Sequence, residues 1–174
     1  SFAIVEGFTL NHKYRWGTDS TDEFVMPLDG PGLTVDVVNT GKSIRIGNTS
    51  ENDRYMEVPG SQVTFSELAV PVTVSESVIA VINVESDVCD AFSENDQRLV
   101  ETLAEHVASA FSKIKYIERL NALHSFTFEL GIAESVDNVV DTTFRIMKDA
   151  LDLPFSSVLL VDDGYLAVQR VDNR

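Results

Sequence analysis

Residues Ser66–Ser86 read "SELAVPVTVSESVIAVINVES". Two β-prone apolar runs, Ser66–Val74 and Ser77–Ser86, flank the polar "SES" turn, which predicts an antiparallel hairpin. Pro71 lies inside the first run and has no N–H to give a ladder, so an edge or a bulge is expected there. On the second run the pleat sends Val78, Ala80, Ile82 and Val84 one way and Ile79, Val81, Asn83 and Glu85 the other. Asn83 is polar among apolar neighbours. If buried it needs a partner, either a neighbouring loop or a ligand.

The hairpin runs into "FSENDQRLVETLAEHVASAFSKIKYIERLNALHSFTFELG", Phe92–Gly131, which has no proline and no glycine before its last residue. This predicts one long helix, with Ser93 as N-cap, Asp96 completing a capping pattern, and Gly131 ending it. Leu99, Leu103, Val107 and Phe111 are expected to lie against the sheet. A 3-4 stripe through Val100, Leu103, Val107, Ala110, Ile114, Ile117, Asn121, His124 and Phe128 also fits a coiled-coil seam. Asn121 takes an a position, where a lone asparagine fixes register in a parallel pair. The dimer contact is therefore expected at Val107, Ala110, Ile114, Ile117 and Asn121, unless the stripe packs on its own domain.

Upstream, Ser1–Val5 and Thr9–Trp16 read as a hairpin stopped at Gly17, and Pro31–Gly41 as a short helix. Downstream, Val136–Leu151 reads as a helix capped by Ser135 and stopped by Pro154, and Ser157–Val161 as a strand. The order predicts an α/β or α+β class. "SFAIVEGFTL" at Ser1–Leu10 is repeated as "SVLLVDDGYL" at Ser157–Leu166, so the chain begins a module's sheet twice. The expected organisation is a tandem fragment: a module at 1–112 without its N-terminal helix, a linker helix at 113–131, and the start of a second module at 132–174.

Among 174 residues, 44% are hydrophobic, enough for a packed core. No apolar run approaches the ~20 residues that span a bilayer. The net charge of −15 repels phosphate backbones and anionic lipid; neither nucleic acid nor membrane is expected as a partner of this segment. A cytoplasmic location is expected.

"SELAVPVTVSESVIAVINVES" with "AFSENDQRLVETLAEHVASAF" resembles the C-terminal half of a GAF domain. "RWG", "GPGLTVDVVNTGKSIRI" and "NTSENDRY" resemble its earlier elements, and the stretch from Arg119 to Leu166 resembles the opening of a second one. Ala80 stands where the family often has glycine. The resemblance implies an α+β fold: a central antiparallel sheet with helices on both faces, then a long linker helix and a second GAF-like module. It also implies a sensory or dimerisation role in a histidine kinase or a transcription regulator, with a homodimer and a small-molecule ligand as partners.

Other GAF activities each require particular residues. One cysteine, Cys89, cannot close the intramolecular disulfides of a free methionine sulfoxide reductase. Asp87 and Asp90 flank it and oppose thiolate formation. No Asn-Lys pair of the cyclic-nucleotide type is present. His12, His106 and His124 have no metal-ligand spacing. No enzyme activity, cofactor or metal is expected. Trp16, Arg45, Tyr55 and Ser66 come from segments that border the pocket in resembling domains, and with Asn83 they are the candidate ligand-binding residues. Each could equally be packing or surface.

Overall fold

The computed structural model describes residues 1–16, 24–57, 63–149, 151, 153, 155–162 and 165–173. The stops expected at Gly17 and Pro154 lie outside the described residues. Two compact units are present, Ser1–Ser112 and Lys113–Arg174.

The first unit is built on a six-stranded antiparallel sheet. Its strands are β1 (Phe2–Glu6), β2 (Thr9–Tyr14), β3 (Phe24–Pro27), β4 (Ile44–Ile46), β5 (Ser66–Val74) and β6 (Ser77–Ser86), in the spatial order β3-β2-β1-β6-β5-β4. Helix α1 (Leu33–Thr40) packs on one face and the first turns of α2 (Glu94–Gly131) on the other. β3 and β4 were not read from the sequence, because each is only three or four residues long and shows no clear alternation.

The β5–β6 hairpin forms with the expected strand bounds. It closes through a two-residue turn, Ser75–Glu76, with both residues at positive φ (49° and 67°). That is the twist a tight hairpin needs, here made without glycine. Pro71 pairs with Val81, beyond the last β4 partner at Ala69, so its missing N–H breaks no ladder on that side. A bulge follows, because Val72 pairs with Ala80 and Thr73 with Val78, leaving Ile79 unpaired. The expected alternation therefore fails at the turn end: Val78 packs with Val81 on the α1 side and Ile79 with Ala80 on the α2 side.

Helix α2 begins with a reciprocal cap. The Ser93 amide donates to Asp96 Oδ2 (2.8 Å) and the Asp96 amide to Ser93 Oγ (3.3 Å). The residues that meet the sheet are Val100, Ala104, Val107 and Ala108, while Phe111 stacks on Phe2. Leu99 and Leu103 are exposed, against expectation. Two alanines one turn apart let the helix approach the strands closely, and this places the bulkier leucines on its outer side.

In the second unit, α3 (Val136–Asp149) is capped by Ser135, whose Oγ accepts from the Asn138 amide (3.1 Å). Arg145 of α3 pairs with Glu129 and stands 5.5 Å over the Phe126 ring, so the last turns of α2 and α3 pack together. β7 (Phe155–Asp162) and β8 (Tyr165–Asn173) form a hairpin. Its register copies that of β1–β2 residue for residue, 156 positions later. Glu6 pairs with Thr9 and Asp162 with Tyr165; Ala3 pairs with His12 and Leu159 with Val168. Even the irregularity recurs: Lys13 is skipped in the first hairpin and Gln169 in the second.

Candidate functional site

The α1 face of the sheet is apolar over only part of its area. Ala3, Leu10, Met26, Ala69 and Val81 meet Val35 and Val37 of α1. Toward the other end of the strands the same face carries His12 on β2, Glu67 on β5, and Asn83 and Glu85 on β6. These four line a cavity of about 30 Å³, roofed by the start of α1 at Gly32, Leu33 and Thr34 and by Met56. Gly32 is required there: its φ is 142°, and a Cβ would come within 2.3 Å of Met26 Cε.

Cross-strand register makes the site. Glu67 lies opposite Glu85, and Asn83 opposite Ala69. Glu67 is buried (4% exposed) and its carboxyl is pushed up to about 8, first by burial and then by the neighbouring Glu85 charge. Asn83 Nδ2 donates to Glu85 Oε1 (2.8 Å) and Thr64 Oγ1 to Glu85 Oε2 (3.3 Å). His12 is buried against Phe24, and burial holds its imidazole down to about 4, hence neutral. Its Nδ1 sits 3.3 Å from Ser1 Oγ. Asn83 Oδ1 and His12 Nε2 are buried without a hydrogen-bond partner. Unpaired buried polar atoms are uncommon, and each costs about 1–3 kcal/mol. An open groove of about 830 Å³ adjoins the cavity and shares Ser1, Arg15, Asn83 and Glu85 with it.

Of the five candidate residues, two line these spaces, and a third, Tyr55, lines neither but bonds Thr64 of the groove wall. Asn83 lines both spaces, and the exposed Trp16 lines the groove. Tyr55 is hydrogen-bonded to Thr64, and burial raises its phenol above the usual value. Arg45 and Ser66 do not line it. Arg45 donates to the Phe92 carbonyl (3.2 Å) and to Gln97 Oε1 (3.3 Å), tying β4 to the start of α2. Ser66 falls on the α2 face of β5, where its Oγ donates to the Val88 carbonyl (2.7 Å). Glu67 and His12 were missed. No short-range signal marked Glu67: the tight turn at Ser75–Glu76 by itself would set it opposite Val84, and the bulge at Ile79 shifts it to Glu85. Cys89 is exposed and lies outside the cavity lining. Among the described residues no group of three His, Cys, Asp or Glu side chains could hold a metal ion.

The GAF domain family matches residues 12–112 of the sequence, more than half of the chain. The chain belongs to the GAF domain family. Solved GAF-fold structures agree. It is similar to the type II free methionine-R-sulfoxide reductase of Thermoplasma acidophilum, at 25% identity and a TM-score of 0.54 over 62% of this chain and 74% of that one. The free methionine-R-sulfoxide reductase of Neisseria meningitidis, in complex with its substrate, matches at 19% and 0.55 over 64% and 65%. The A. aeolicus nlh2 GAF domain, in an inactive state, matches at 22% and 0.54 over 64% and 71%. No curated protein matches the chain in sequence. No helix among the described residues is long and apolar enough to cross a membrane.

Proposed function

We propose that the GAF domain is a non-catalytic sensory module that binds a small molecule, part of a cytoplasmic signal-transduction protein of the histidine kinase or transcription-regulator kind. The observation that carries this is the cavity under α1, where two buried polar atoms stand without partners. Buried polar atoms are ordinarily paired, and a ligand in the cavity would pair these two. The reductase reading, which the Thermoplasma likeness raises, needs thiol chemistry. Cys89 is the chain's one cysteine and lies outside the cavity lining. The test is a thermal-shift screen of metabolites. Binding raises stability by RT ln(1 + [L]/Kd), about 2.7 kcal/mol at a hundredfold excess over Kd. A screen without a hit, or hits that survive Asn83→Ala and Tyr55→Ala unchanged, would remove the sensor reading. Turnover of methionine sulfoxide by the chain would replace it with the enzyme.

The repeated hairpin register favours a tandem arrangement, with α2 leaving the first module and entering a second. Ala110, Ile114, Ile117 and Asn121 are exposed on α2 at heptad spacing, which favours a parallel homodimer through this stripe. Val107 is half-buried against the sheet and belongs to the domain core instead. Sedimentation across a concentration series, with Ile114→Asp plus Ile117→Asp as the disrupting variant, tests the seam. A parent chain that stays monomeric sinks it.

A further inference from the structure

The side chains facing the cavity have a common chemistry. Glu67 and Glu85 are carboxyls directly opposite each other, and Asn83 presents Oδ1. His12 presents Nε2, an acceptor in the neutral tautomer that keeps its proton on Nδ1 toward Ser1 Oγ. Asn83 and His12 are 3% and 6% exposed, so bulk water does not satisfy them. A single buried water could bond some of these atoms, but it brings no positive charge to Glu85, or to Glu67 once that carboxyl ionises. A metal ion lacks the ligand set among the described residues. The occupant that fits is a compact organic cation with several N–H donors.

We propose that the cavity receives the ammonium group of a small organic amine, held by Glu67, Glu85, Asn83 and His12, with the body of the molecule lying in the adjoining groove. This deepens the sensor reading and rests on it. Phe2, Tyr14 and Trp16 line the groove and suit an apolar or aromatic body. Two cations already border the site: Arg15, at the junction of cavity and groove, and the Ser1 amine, which donates to the Asn83 carbonyl (2.5 Å). Both would compete with a ligand, so each titration below is repeated on a chain extended by a few residues ahead of Ser1, which moves the amine off the Asn83 carbonyl.

The experiment is calorimetric titration of the full chain at pH 9, where Glu67 is ionised, with three probes of one shape: 2-phenylethylamine, 2-phenylethanol and 3-phenylpropionate. The amine is expected to bind about tenfold or more tighter than the alcohol, since a hydrogen bond to a charged group is worth that much. Glu67→Gln should bring amine affinity down to that of the alcohol while leaving the alcohol unchanged. Glu85→Gln is the second variant, should the first unfold. An alcohol or carboxylate that binds as tightly as the amine overturns the ammonium site and leaves the sensor reading standing. So does a metabolite hit from the wider screen that is indifferent to both variants. Silence from every probe and from the screen overturns both readings.

Discussion

On the α2 side of the sheet, Leu68, Val70, Val72 and Ala80 meet Ala104 and Ala108, apolar against apolar. On the α1 side, the same two strands give half their surface to Ala69 and Val81 and the other half to Glu67, Asn83 and Glu85. One sequence alternation feeds both faces, so the contrast is made residue by residue along β5 and β6. The α2 face maximises contact, and its alanines bring a helix down onto the strands. The α1 face gives up contact area to keep polar atoms in place. A protein keeps such local inconsistency where it has a use for it. The first face holds the fold together, and the second is where a ligand can be read.

The contrast predicts unequal costs of mutation. Leu68 is fully buried on the α2 face, and Leu68→Ala should lower unfolding free energy by about 3 kcal/mol, the lost transfer term plus the cavity left behind. Denaturant melts with unchanged slope would check it. A loss below about 1 kcal/mol would mean that this face is not the tightly packed one.

The next largest effect should come from Glu67. Its folded carboxyl titrates near 8 instead of 4.5, so above about pH 4.5 the unfolded chain releases a proton that the folded chain keeps. Stability contributed here is full below pH 4.5 and is lost as pH rises toward 8. His12 acts in the opposite sense: its folded value near 4, against 6.5 unfolded, costs stability as pH falls from 6.5 to 4. The two slopes oppose each other between pH 4.5 and 6.5. Above 6.5 the Glu67 slope remains, partly offset by the Ser1 amine, which burial holds below its ordinary 8.0, and the apo chain should melt progressively lower up to about pH 8. Glu67→Gln should flatten that upper limb and gain on the order of 2 kcal/mol at pH 9. An upper limb equally steep in the variant would mean that another group carries it.

A third change sits apart from both faces and serves as the reference. Ser75 and Glu76 both adopt left-handed backbone in the β5–β6 turn, at a cost of about 1 kcal/mol each for side chains that resist it. Ser75→Asn with Glu76→Gly should recover about 1 kcal/mol in a thermal melt and leave the pH profile untouched. A gain that brings a changed pH profile would show that the turn and the cavity are not independent.

The fold was legible where local chemistry is strong. The hairpin at Ser66–Ser86, the capped start of α2 at Ser93, its end at Gly131 and the cap at Ser135 all follow from short-range rules. The side of α2 that packs was half legible: Val107 and Phe111 meet the sheet as expected, and Leu99 and Leu103 do not. Hydrophobicity favoured Leu99 and Leu103, whereas close approach to the sheet favoured Ala104 and Ala108, and the choice needs three dimensions. The site was half legible. Asn83 stood out as polar in an apolar strand. Glu67 looked like an ordinary surface acid until the register set it inward opposite Glu85, and His12 reached the cavity only because β2 lies in the same sheet. Arg45 and Ser66 belong to segments that border the pocket in resembling domains, and a segment does not say which face a side chain takes.

The smallest predicted change in stability tests the contrast most directly. Asn83 is as buried as Leu68's neighbours, so a packing argument alone would make Asn83→Val as costly as a core truncation. The local inventory says otherwise. Asn83 Oδ1 has no partner to lose, and Nδ2 bonds only the exposed Glu85, which water can serve instead. Valine also suits the strand better than asparagine. The gains and losses nearly cancel, and the expected change is within about 0.5 kcal/mol of zero. Binding of any cavity ligand should nevertheless fall about tenfold, because the acceptor that faced it is gone. A variant that melts several degrees lower and still binds normally would make Asn83 a structural residue, and the α1 face a core like the other.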